Sequence, residues 1–167
     1  MIPGPAISAI LGGVSIETVR YSAPGWGTGE LVLVEGRVAH HEQPRGRDEQ
    51  VTDCYLPLVD RILAFLAGRP DDFADVELAL PDWTPLQRSI YEALRAVPYG
   101  EVVTYGELAA LAGRPRAPRA AGSFCAANPF SLFVPCHRVV AAGGIGSYGS
   151  LGVEYKRRLL ELEGVTL

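Results

Sequence analysis

The chain has 167 residues, 48% of them hydrophobic, and carries 15 Lys/Arg against 19 Asp/Glu for a net charge of −4. That length suits one domain of moderate size or two small ones, and the apolar content excludes a disordered chain. No apolar run nears the roughly 18 residues of a membrane span, and the apolar stretch Met1–Ile16 lacks a basic n-region, which speaks against a signal peptide.

Three cysteines, Cys54, Cys125 and Cys136, are too few and too scattered for a disulfide framework. They form no C-x-x-C pair, and His40-His41 lack a cysteine at zinc-site spacing. The expected setting is a reducing cytoplasm, without metal. Charge is uneven: residues 1–81 hold 6 Lys/Arg against 12 Asp/Glu, and residues 82–167 hold 9 against 7. Only the second half can offer phosphate-facing surface.

Residues 14–40 read as strands and turns. Ser15–Tyr21 alternates as a strand does, Ala23–Gly29 is rich in breakers, and Leu31–Val34, Glu35-Gly36 and Arg37–Ala39 form a hairpin turning at Gly36. His40 to Gln50 is polar and expected to be a surface loop, with both histidines exposed. Leu56, Val59, Ile62, Leu63 and Leu66 recur at helical spacing until Gly68 and Pro70. Cys54 is expected to be a partly buried structural thiol. This half reads as a small α/β unit of sheet plus helix, and it contains no recognisable active site.

Leu78–Asp82 looks like a connection. Thr84-Pro85-Leu86-Gln87 then carries a capping threonine, proline at the first helical position and glutamine three residues after the cap. That helix runs to Pro98-Tyr99-Gly100, and Glu101–Thr104 is short and extended. A helix over about 105–111 ends at Gly113, and another follows over about 118–127 before Asn128-Pro129. Two short helices joined by a glycine turn are the helix-turn-helix pattern. The second is full of small residues, from Ala120 to Ala127, and suits either close approach to another backbone or tight core packing. Phe130–Val134 is expected to be extended, Gly143–Ser150 a flexible loop, and 153–162 a final helix with Leu159 and Leu160 inward and Lys156-Arg157-Arg158 outward. The fold expected is an α/β N-terminal domain, residues 1–80, followed by a mainly helical C-terminal domain with a helix-turn-helix, residues 81–167.

Chemistry concentrates in Val134-Pro135-Cys136-His137-Arg138-Val139. Pro135 fixes the backbone before the sulfur, and neighbouring cations and a proton acceptor favour the nucleophilic thiolate. Successive residues of an extended segment point to opposite sides, so Cys136 and His137 need a turn or an intervening water to cooperate. Taken alone, such a pair is most often an inert buried thiol beside a surface histidine.

The surrounding blocks change that balance. Tyr99–Ala109, Arg119-Ala120-Ala121-Gly122, Asn128-Pro129, Pro135–Val139 and Leu159–Gly164, in this order, resemble the O6-alkylguanine-DNA alkyltransferase family over roughly residues 83–164. The resemblance implies a ribonuclease-H-like N-terminal domain and an irreversible, single-turnover transfer of the alkyl group from O6-alkylguanine to Cys136. O6-methylguanine is the main substrate implied, with O4-methylthymine a second candidate. His137 would be the general base, acting through a water, and Glu163 would orient its ring. Tyr105 would supply a proton or hydrogen bond to the departing base, and Asn128 would brace the turn before the cysteine. Arg119 would fill the stack vacated by a flipped base, with the small-residue helix in the minor groove. Val139 would give backbone contacts, and Tyr148 and Ser150 would wall the pocket. Arg138 would brace structure.

The same resemblance implies no cofactor, double-stranded DNA containing alkylated guanine as the partner, no membrane, and a monomer in the cytoplasm. Three departures stand out. The Tyr148–Gly152 segment is one residue longer than the common pattern, which leaves the register of Tyr148 and Ser150 open. Phe124 replaces a small residue, and Ala126 and Ala127 bring no charge. The zinc ligands of some relatives are absent, so the first half would fold without metal. A non-catalytic protein that flags lesions for other pathways is the main alternative, and a helix-turn-helix regulator the third.

Overall fold

The computed structural model describes residues 6–49 and 56–167; Cys54 lies outside them. The chain divides into two compact units. The first holds the chain up to Arg69 with Asp75–Leu80 and Pro129–Ser131, and the second holds Pro70–Ala74, Pro81–Asn128 and Leu132–Leu167.

The first unit is an antiparallel meander of four strands, β1 (Ile7–Leu11), β2 (Val14–Ala23), β3 (Gly27–Val34) and β4 (Arg37–Arg45), with helix α1 (Pro57–Leu66). β3 shows why it is a strand: Leu31 and Leu33 are buried while Glu30, Val32 and Val34 are only partly so, the period-2 pattern of a one-sided sheet. The hairpin turns at Glu35-Gly36 as expected, with positive φ at both residues, the geometry that matches strand twist. β1 was not legible in the sequence. It is exposed along its whole length, so no alternation marks it.

β4 corrects two expectations. Residues 40–45 are strand rather than loop, and His41 is buried, only 2% exposed. The cause is a bulge: Val32 pairs with His40 but Leu33 pairs with Val38, leaving Ala39 extra. One extra residue flips every later side chain to the opposite face, so Val38, His41 and Gln43 all turn inward. His41 Nε2 lies 2.6 Å from Tyr21 Oη, and Nδ1 lies 2.6 Å from the Ser131 carbonyl. Tyr21 reaches across Gly29 to do this; a Cβ on Gly29 would sit 2.5 Å from the tyrosine ring. The expected connection near Leu78 also joins the sheet, since Val38 N donates to Glu77 O and Ala79 N to Val38 O.

The second unit contains α2 (Pro85–Arg95), β5 (Val103–Thr104), α3 (Tyr105–Leu111), α4 (Pro118–Ala126), β6 (Val139–Val140) and α5 (Val153–Leu162). Thr84 and Gln87 form the expected capping box on α2, and Thr104 and Glu107 form a second one on α3. α3 and α4 are joined through a turn at Gly113, giving the helix-turn-helix. Ile90, Leu94, Leu108, Ala121, Phe124, Phe133, Leu159 and Leu160 make its core. Phe130–Val134 is a turn rather than an extended run, with Leu132 at a φ of 72°. Lys156 is buried rather than outward, 1% exposed. Among the described residues no helix is long and apolar enough to cross a membrane.

Candidate active site

The backbone around Cys136 makes two tight turns in succession. Pro135, at φ −81° and ψ 68°, forms an inverse γ-turn closed by Cys136 N donating to Val134 O at 2.8 Å. Cys136–Arg138 then winds as one turn of 3₁₀ helix, with Arg138 N donating to Pro135 O at 2.9 Å. The extended geometry that would set Cys136 and His137 on opposite sides is therefore absent. Asn128, just past the end of α4, holds this turn: its Nδ2 donates to Val134 O at 2.8 Å and to Cys136 Sγ at 3.0 Å.

β5 and β6 explain how a tyrosine thirty-one positions earlier in sequence reaches the thiol. Val103 pairs with Val139 and Thr104 with Val140 in a short parallel ladder, so the first turn of α3 starts beside the segment that follows Cys136. The Thr104–Glu107 capping box fixes that start. Tyr105 and Cys136 then line one small cavity of about 60 Å³, together with Gly122 and Cys125 from α4 and Ser147, Tyr148 and Gly149 from the loop before α5. Tyr148 stacks on Tyr155 of α5, ring centroids 6.2 Å apart. Ser150 is exposed and is not part of this lining.

Behind the thiol, His137 is fully buried and its Nε2 lies 2.6 Å from Glu163 Oε1. Glu163 also accepts from Arg138 Nε at 3.0 Å and from the Gly100 amide at 2.9 Å, both through Oε2, and from the second Arg138 nitrogen at 3.0 Å through Oε1. Arg138 reaches on to the Val97 carbonyl at 2.8 Å, so it ties the end of α2 to the end of α5. Gly100 is where a side chain would be strained: its φ is 80°, and a Cβ would lie 3.2 Å from the Glu163 carbonyl oxygen.

Electrostatics follow from burial. Desolvation pushes the Glu163 carboxyl up, but the hydrogen bonds and charges of His137 and Arg138 outweigh it and hold the pKa at about 2. Burial lowers His137, against the pull of Glu163, so the resting ring is neutral. A neutral ring beside an ionised carboxylate carries its proton on Nε2 and keeps Nδ1, also buried, as the basic atom. Burial likewise raises Cys136, with the Cys125 thiol adding to the rise and the Asn128 donation and Lys156 cation opposing it. The resting sulfur is therefore a thiol that must lose its proton to react. Tyr105 is raised by burial and stays a donor.

Lys156 and Cys125 were not singled out from the sequence. Lys156 Nζ donates to Val139 O at 2.5 Å and to Ser147 O at 3.1 Å, so one buried cation joins the segment after Cys136 to the cavity loop. Its position in a Lys-Arg-Arg run suggested a solvated face; only the i, i+3, i+4 relation to Leu159 and Leu160 hinted otherwise. Val139 is itself fully buried, with its carbonyl taken by Lys156. Arg119 lies exposed in the first turn of α4, and Arg114 and Arg116 are exposed in the turn before it. The Arg-Pro-Arg-Ala-Pro-Arg spacing was the available signal for those two. Phe124 turns away from the cavity and packs edge-on against Trp83 at 5.2 Å. Among the described residues no group of His, Cys, Asp and Glu is gathered as a metal would need.

A methylated-DNA–protein-cysteine methyltransferase of Metallosphaera sedula is 36% identical over 146 residues, covering 86% of this chain and 90% of that protein. The chain belongs to the methylated-DNA–protein-cysteine methyltransferase family. The Salmonella typhimurium member is 44% identical over 145 residues, covering 78% of this chain and 84% of its own. A sequence model of the 6-O-methylguanine DNA methyltransferase DNA-binding domain matches residues 85–165. The fold agrees: the crystal structure of Mycobacterium tuberculosis OGT in complex with DNA superposes with a TM-score of 0.75 at 34% identity, covering 88% of this chain and 92% of that one. The O6-methylguanine-DNA methyltransferase of Pyrococcus kodakaraensis gives 0.59 at 28% identity over 96% and 99% of the two chains. The family's matched domain thus spans every residue of the Cys136 cavity and of the His137–Glu163–Arg138 cluster.

Proposed function

We propose that this protein repairs DNA by moving the alkyl group from O6 of guanine onto Sγ of its own Cys136, once per molecule and without cofactor. The observation that carries the reading is a nearly buried cysteine facing a small cavity, backed by a buried His–Glu pair. The family relationship supports DNA as the partner and a protein cysteine as acceptor.

The step is an SN2 displacement. Cys136 Sγ forms a bond to the alkyl carbon, the carbon–O6 bond breaks, and the electron pair leaves on the guanine. His137 Nδ1 takes the thiol proton through a water, and the imidazolium is stabilised by the Glu163 carboxylate at 2.6 Å. The Tyr105 hydroxyl, held protonated, donates to the departing base. Asn128 keeps the sulfur aimed and stabilises its negative charge. The thioether product has no leaving group to regenerate the thiol, so the reaction ends there.

A base stacked in a duplex cannot reach a buried sulfur, so the damaged nucleotide is flipped out. Arg119 fills the gap while α4, whose Gly122 faces Tyr105, lies in the minor groove. Tyr148 walls the pocket, and Ser150 and the Val139 backbone complete it once DNA is bound. O6-methylguanine is the main substrate and O4-methylthymine a second. The protein acts as a monomer in the cytoplasm. Cys136→Ala tests the reading: it should abolish transfer while duplex binding persists, and transfer surviving in that variant would refute it.

A further inference from the structure

The reaction above uses one thiol, yet the cavity is lined by two. Cys125 sits on the face of α4 that carries Gly122 and Ala126 toward Tyr105, and it lines the same cavity as Cys136. Both are free cysteines, Cys125 partly exposed and Cys136 nearly buried. The loop residues Ser147 and Gly149 that border the same cavity are exposed, so the pair lies behind a short opening to solvent. A space of about 60 Å³ holds a molecule the size of hydrogen peroxide, given that one water needs about 10–15 Å³ of such volume.

We propose that Cys125 and Cys136 are a peroxide-oxidisable dithiol that closes reversibly to a disulfide inside the alkyl-acceptor cavity. Cys125 is the first to react. It is the more accessible sulfur, and the neighbouring Cys136 thiol and Lys156 cation hold its pKa below the usual thiol value. The Cys125 thiolate attacks one oxygen of a hydroperoxide such as H2O2, the O–O bond breaks, and hydroxide leaves with cysteine sulfenic acid as product. Cys136 sulfur then attacks the sulfenic sulfur. The S–S bond forms, the S–O bond breaks, and the departing hydroxide takes the Cys136 proton. Overall two thiols and one peroxide become one disulfide and two waters. Both cysteines border one cavity of about 60 Å³, across which the sulfurs are drawn together to a bond of about 2.05 Å.

The consequence for the site is twofold. The disulfide removes the acceptor sulfur, so alkyl transfer stops. It also protects Cys136 from the irreversible sulfinic and sulfonic states, because exchange with a small thiol restores both cysteines. Cys125 thereby takes the first oxidation in place of an acceptor that can be used only once.

The mass readout needs no DNA. Full-length protein, in a Cys54→Ser background to remove the third thiol, is treated with hydrogen peroxide and digested with trypsin, which leaves both cysteines on the single peptide 120–138. The expected result is loss of two hydrogens from that peptide, reversed by dithiothreitol. Chymotryptic cleavage between the cysteines, after Phe130 or Phe133, should leave the fragments joined until reduced. Alkyl transfer, assayed in parallel, should fall in proportion to the bridged fraction and return on reduction. In Cys125→Ser the same dose should form no bridge, and whatever Cys136 is oxidised should carry added oxygen rather than lose hydrogen. Oxygen addition at Cys136 with Cys125 remaining a free thiol in the parent protein would overturn the proposal. Its failure leaves the transfer reaction untouched, and failure of transfer leaves the mass readout interpretable.

Discussion

The His137 imidazole and the Glu163 carboxylate meet at 2.6 Å, both wholly buried, and the same carboxylate is gripped by Arg138 at 3.0 Å. Arg138 thus keeps Glu163 ionised before His137 needs its charge. A carboxylate prepared in this way stabilises an imidazolium at the moment the thiol proton arrives. Glu163→Gln retains the shape and loses the charge. Transfer from an O6-methylguanine duplex in single-turnover assays should slow by about 10²–10⁴-fold, the usual worth of general base catalysis. Leaving Arg138 buried without its partner should also cost about 3–5 kcal/mol in urea unfolding. Glu163→Asp should recover part of the rate.

Asn128 predicts a different signature. Its Nδ2 proton lowers the Cys136 pKa against the burial that raises it. Asn128→Ala should therefore move the pH dependence of Cys136 alkylation by iodoacetamide to higher pH, and should cost about 1–3 kcal/mol by leaving the Val134 carbonyl unsatisfied. An unmoved profile with an equal loss of stability would reduce Asn128 to a purely structural brace.

Three buried groups set the acid limit of stability, His41 and Glu163 with His137, whose lowered pKa acts in the same direction as that of His41. Burial pulls His41 from 6.5 to about 4, opposed by its bond to the Ser131 carbonyl and helped by His40. Below pH 6.5 the unfolded chain takes up a proton that the folded chain refuses, so stability is complete above 6.5 and falls as pH drops toward 4. Glu163, depressed from 4.5 to about 2, adds stability that is complete above 4.5 and falls as pH drops toward 2. Each group contributes a slope of at most about 1.4 kcal/mol per pH unit in its own window. Urea midpoints followed by circular dichroism from pH 8 to 3 should show the histidine window first; His41→Gln should make it shallower, with His137 supplying the remainder, and Glu163→Gln should flatten the lower one.

Binding to undamaged duplex should depend on salt only modestly. The exposed cations around the helix-turn-helix are Arg114, Arg116 and Arg119, and each phosphate neutralised adds about −0.9 to the slope of log K against log salt. A slope of about −2 to −3 is expected, reduced by about 1 in Arg114→Ala or Arg116→Ala. Arg119→Ala should in addition erase the preference for lesion-bearing over intact duplex. A slope twice as steep would place the main contacts elsewhere.

The helical unit was readable because its signals are local. The capping boxes at Thr84 and Thr104, the stop at Gly113 and the order of Tyr105, Asn128, Cys136, His137 and Glu163 all lie in short windows. What escaped notice depends on long-range placement. His41 was misplaced because a single bulge at Ala39 inverts the strand pattern. Lys156 was misplaced because a cation is buried here only by carbonyls of Val139 and Ser147, which no pattern on α5 reveals. Cys125 looks isolated because Cys136, which lines the same cavity, is eleven positions away across the Asn128–Pro135 turns. The Tyr148 loop was left open in register, and the cavity takes in Tyr148 with Ser147 and Gly149 while Ser150 stays exposed.

The most direct test is methyl transfer with site mapping. Purified protein is mixed with limiting and excess duplex containing labelled O6-methylguanine, then digested and sequenced by mass spectrometry. One methyl per protein on Cys136, with no further turnover when lesion is in excess, is the predicted result. Repaired guanine accumulating while Cys136 remains an unmodified thiol would contradict it.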